Sequence, residues 1–95
     1  MIVSDSTTLI ILLDLGKMEL LSNLFSEIYI PHTVYEEISV KKALKLPSFM
    51  HVVEVKESTD LKLLKKLLDD GESEAIVLAR QMKLGLIIDE KKVGR

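Results

Sequence analysis

The chain has no cysteine among its 95 residues, which excludes a disulfide framework, a zinc ribbon and a thiol nucleophile and favours a reducing cytoplasm. It has only four glycines, and none of them builds a phosphate-cradling loop. Long hydrophobic runs are missing too. "LIILL" (9–13) is far too short to cross a bilayer, and the N-terminus lacks the basic region and small-residue cleavage site of a signal peptide. No membrane partner is expected, and the location reads as cytoplasmic. Positive charge is not in excess: 13 Lys and Arg face 15 Asp and Glu, for a net charge of −2. Charge alone therefore does not drive nucleic-acid binding unless metal ions or a local patch offset the acids. His32 and His51 have no metal-ligand spacing and read as surface or turn residues.

What is present is a hydrophobic fraction of 47% in a chain long enough for one small domain over residues 1–95. "MIVS" is a short strand-forming run that ends at Asp5. "TTLIILLDLGKMELLSNLF" then shows helical spacing broken at Gly16, a helix, a turn and a second helix. "EIYI" is the next strand, stopped by Pro31, a residue that suits the first turn of the helix "PHTVYEEIS". After an irregular stretch with Pro47, "HVVEV" predicts a third strand. Ser58, Thr59 and Asp60 give a cap signal for a helix running to about Leu68. "DDG" (69–71) predicts a break, followed by a helix from Glu72, a stop at Gly85 and the apolar strand "LII" ending in Asp89 and Glu90.

Strands alternating with helices imply an α/β fold with a parallel sheet, whose ligands bind beyond the carboxyl ends of the strands. Asp5 and Asp89 close strands and so share that rim. Further acids reach it only from helices that follow strands. In "PHTVYEEIS" the core stripe is Val34 and Ile38, which puts Glu37 on its flank and Glu36 nearly opposite. In "GESEAIVLARQM" Glu72 lies nearer the stripe's edge than Glu74 and occupies a first turn, where the helix dipole favours a carboxylate. The geometry selects Asp5, Glu37, Glu72 and Asp89, with Glu90 and Glu74 in reserve. Each has an ordinary alternative: Asp5 as an N-cap, Glu37 on a solvated face, Glu72 as a dipole-favoured acid. Their convergence is what favours a site. "KKALK" and "KKVGR" could touch phosphates, although short basic runs are usually solvated faces.

Four motifs in order, D-S-T-x-L-I from Asp5, I-P-x-x-V-x-x-E-I from Ile30, G-E-x-E-A-I-x-L-A from Gly71 and L-I-I-D-E from Leu86, resemble PIN domains, in particular prokaryotic PIN-like proteins related to VapC-type toxins. The resemblance implies a three-layer α/β/α fold with a central parallel sheet and the activity of a metal-dependent ribonuclease. Asp5, Glu37 and Glu72 match the family's first three acids, Asp89 or Glu90 the fourth, and Thr7 the hydroxyl that supports the first. The implied cofactor is Mg²⁺ or Mn²⁺, hard cations that take oxygen ligands. RNA is the implied substrate, and an antitoxin protein an implied partner. Relatives usually continue past the "DE" strand end, so the domain reads as C-terminally truncated, lacking the last family elements. An inactive module acting in protein–protein interaction is the contrasting expectation. A phospho-acceptor domain would want paired acids after its first strand, where this chain has Asp5, Ser6 and Thr7. Leu12, Leu13, Leu15, Leu20 and Leu21 and the strand near Leu86 predict a homodimer or larger homo-oligomer.

Overall fold

Three of the helix starts are set by side-chain caps. In the computed structural model, which describes residues 1–41 and 45–87, Ile2–Ser4 forms β1 and Ser6–Leu15 forms α1. Between them Asp5 adopts an extended backbone, and its carboxylate accepts a bond from the Thr8 amide. Gly16, at φ 67°, closes α1 in the left-handed conformation that glycine adopts without a Cβ penalty. The chain continues through α2 (Glu19–Leu24), β2 (Ile28–Pro31), α3 (His32–Lys41), β3 (Met50–Val53), α4 (Thr59–Lys65), α5 (Asp70–Met82) and β4 (Gly85–Ile87). Ser58 and Asp69 cap α4 and α5 as Asp5 caps α1, each accepting from the amide three residues on.

The four strands are parallel in the order β3-β2-β1-β4. Alternation along β2 sends Ile28 and Ile30 to one face, where they pack with Leu9, Leu21, Val34, Ile38 and Met50. Tyr29 points to the other face, where α5 lays Ala75, Leu78 and Ala79 against Val3. Helices thus cover both faces, and α4 packs on the outside of α5. This is the expected α/β/α sandwich. Each fully buried aliphatic side chain, such as Ile30 or Ile38, stabilises it by roughly 1.5–3 kcal/mol.

Several boundaries differ from the sequence reading. Pro31 is the last residue of β2, paired opposite Val53, and α3 begins at His32. Proline's fixed φ suits an extended strand end as well as a helix start, and the pairing with β3 decides. "DDG" is the beginning of a helix: Asp69 is its cap, and Asp70 and Gly71 lie in its first turn. The stop at the other end is Lys83, at φ 57°, while Gly85 opens β4 opposite Ile2. Helix α4 ends at Lys65, short of Leu68. Of the five leucines, Leu21 is buried and Leu12 and Leu13 pack against the core, which leaves Leu15 and Leu20 exposed.

Candidate active site

All four strands run the same way, so the segments that follow β1 and β2 leave from one rim. Asp5 stands there, 1% exposed. Its amide donates to the Ile87 carbonyl at 3.0 Å, and its Oδ1 accepts from the Thr8 amide at 3.2 Å. Burying a carboxylate is costly, and the N-terminus of α1 offsets part of that cost. The capping role that the sequence allowed for Asp5 is therefore real. It coexists with a position at the rim.

Glu37 is half-buried on α3, while Glu36 is exposed and pairs with His32 at 3.3 Å. The Glu37 carboxylate lies against Gly71 so closely that a Cβ built there would overlap Oε1 and stand 3.0 Å from Cδ. This contact joins α3 to the first turn of α5, where Asp69 Oδ1 accepts from the Glu72 amide at 2.8 Å. Glu72 is 5% exposed. Glu74, at 8%, is nearly as buried but binds between helices instead. Its Oε2 accepts the Thr33 hydroxyl at 2.8 Å and faces Lys65 Nζ at 3.7 Å, tying α3, α4 and α5 together. A cleft of about 410 Å³ opens between the start of α1, the end of α3 and the cap of α5, lined by Ser6, Thr7, Glu37, Lys41 and Asp69 with apolar Ile10 and Val40. Asp5 and Glu72 adjoin this wall, Asp5 through its chain neighbour Ser6 and Glu72 through its bond to Asp69.

A family model described as a PIN domain matches residues 1–95. The chain belongs to the PIN-domain family. No curated protein and no solved structure matches it. The family and the α/β/α architecture agree, and with them comes a nuclease-type domain whose members generally depend on divalent metal ions.

Whether this PIN domain's residues suit such an ion is a question of donor chemistry and spacing. Asp5, Glu37, Asp69 and Glu72 all offer carboxylate oxygens, the donor type that Mg²⁺ and Mn²⁺ prefer. Among the described residues no three His, Asp or Glu side chains gather closely enough to share one ion. Mg²⁺ retains several waters and needs only one or two carboxylates, so the donor set fits a water-rich site. Asp89 and Glu90 lie outside the described residues. Thr7 lines the cleft.

The sequence reading missed Asp69 on the cleft wall and named Lys41 only as part of the basic run "KKALK". For Asp69 the signal was available: Asp69 followed three residues later by Glu72 is the spacing of a capping box. At the entry end of β2 the PIN domain carries a second polar group, in which the Tyr29 hydroxyl and His51 Nε2 meet the Glu27 carboxylate at 3.3 and 3.2 Å. The Tyr29 phenol is pushed above its ordinary pKa by desolvation and then by Glu27. No helix among the described residues is long and apolar enough to cross a membrane.

Proposed function

We propose that this PIN domain is a metal-dependent ribonuclease and the toxin of a toxin–antitoxin pair, with Asp5, Glu37, Glu72 and Asp89 or Glu90 as the acids that hold Mg²⁺ or Mn²⁺. The observation that carries this reading is the meeting of α1, α3 and α5 at one cleft, with Glu37 on its wall and Asp5 and Glu72 at the adjoining helix starts. A divalent ion, when bound, lowers the pKa of a coordinated water and offsets charge on the phosphodiester. The chain's own residues hold and orient. Asp5 is fixed by its cap bond and by the Ile87 carbonyl, Glu72 by the bond to Asp69, and Glu37 is the half-exposed acid that reaches the cleft. Thr7 steadies the first acid's surroundings. Single-stranded RNA should be cut with Mg²⁺ or Mn²⁺ present and left intact in EDTA. Asp5→Asn and Glu37→Gln should each abolish cutting while the protein still melts cooperatively. Cutting that survives EDTA refutes the metal dependence.

A second reading, an inactive module for protein–protein contact, is favoured by one observation. Ile11, Leu15, Leu20 and Leu24 are exposed along α1 and α2. Such apolar surface suits a partner or a second copy of the chain. Capture of an antitoxin-like protein by a chain that cuts no RNA under any metal would decide for this reading.

A further inference from the structure

The cleft beside Glu37 holds a charge that a cation site does not need. Among the described residues Lys41 is the one cationic side chain on its wall, and it shares that wall with two carboxylates. It lies four residues after Glu37, one turn along the same face of α3, so the two side chains project side by side. Glu37 turns its carboxylate against Gly71 on α5, while Lys41, at the exposed end of the helix, has a long stem with which to sweep the cleft mouth. The hydroxyl residues Ser6 and Thr7 face it from α1. An ammonium and two hydroxyl groups across from carboxylates form a seat for a phosphodiester beside a cation, in a chain whose net charge of −2 gives a polyanion no general attraction.

We propose that Lys41 grips a backbone phosphate of single-stranded RNA and lays the strand across the acids, a positioning role that rests on the ribonuclease reading above. Binding of a fluorescein-labelled single-stranded RNA is measured by anisotropy on Asp5→Asn protein, which holds RNA without cutting it, over about a tenfold range of NaCl. Removing one phosphate contact lowers the slope of log affinity against log salt by about 0.7 for a single strand, so the gap between parent and Lys41→Gln should shrink about fivefold across that range. Lys41→Arg should keep the slope. Lys17→Gln, an exposed lysine between α1 and α2, should leave it unchanged. A lysine that merely favours the helix C-terminus would alter stability and not the slope. If the parent binds RNA and Lys41→Gln retains its slope, or if Lys17→Gln lowers it equally, the Lys41 assignment is overturned while the ribonuclease reading stands. Absence of RNA binding by both the parent and the unsubstituted protein overturns the ribonuclease reading and this inference with it.

Discussion

Gly71→Ala should separate stability from activity. Alanine in place of glycine favours a helix by up to about 1 kcal/mol, and less in a first turn such as this one. Against that gain, the new methyl would overlap Glu37 Oε1, with Cδ at 3.0 Å and Oε2 at 3.3 Å. Those atoms are the end of a flexible, half-buried side chain, so the carboxylate swings aside at about 0.5–1.5 kcal/mol of rotamer strain. The two effects nearly cancel. The net change stays within about 1 kcal/mol, a shift of no more than roughly 4–8 °C in Tm for a domain of this size. Activity has no such compensation. A displacement of about 1 Å at a reacting group costs about 100-fold in rate, equivalent to roughly 2.7 kcal/mol. Circular-dichroism melting and RNA cleavage on the same preparation test both halves. Cleavage within about threefold of the parent at unchanged Tm would show that the position of Glu37 is immaterial. A loss of stability beyond about 3 kcal/mol would show that its carboxylate cannot yield.

Two further outcomes follow from burial. Ser73 is 0% exposed and its hydroxyl has no hydrogen-bond partner among the described residues, so Ser73→Ala should raise stability by about 0.5–1 kcal/mol; a destabilised variant in urea melts would reveal a partner for that hydroxyl. Leu24, 72% exposed on α2, should accept lysine without a change in Tm, and light scattering at micromolar concentration should show the mass falling from an oligomer towards a monomer; a parent that is already monomeric removes the self-association proposal.

The sequence carried the local geometry well and the packing around it less well. The Val34–Ile38 stripe was enough to tell Glu36 from Glu37, because α3 has one solvated face and Glu36 lies on it with His32. On α5 the same reasoning set Glu72 nearer the stripe's edge than Glu74, yet the two are almost equally buried. That helix touches the sheet, α3 and α4 at once, so almost its whole first half is buried, and a one-stripe pattern does not describe it. Asp69 hid behind a glycine. Gly71 looks like a breaker in the sequence, whereas in the fold its missing side chain makes room for Glu37. The strand order was illegible because β1 pairs with the next strand, β2, on one side and with the distant β4 on the other, and neither β2 nor β4 contains a short-range signal naming its partner.

The pairing of β1 with β4 bears on when the site comes into being during synthesis. Strands β1, β2 and β3 all precede β4 in the chain and emerge from the ribosome before it, and they can pair as soon as they are free. Asp5 must wait. Its amide bonds to Ile87, and Ile2 has Gly85 as its other neighbour, so the first acid is not locked in place until nearly all the described chain has been translated. Glu72 arrives late for the same reason. This PIN domain thus cannot join its first strand to its fourth until residue 87 has left the ribosome.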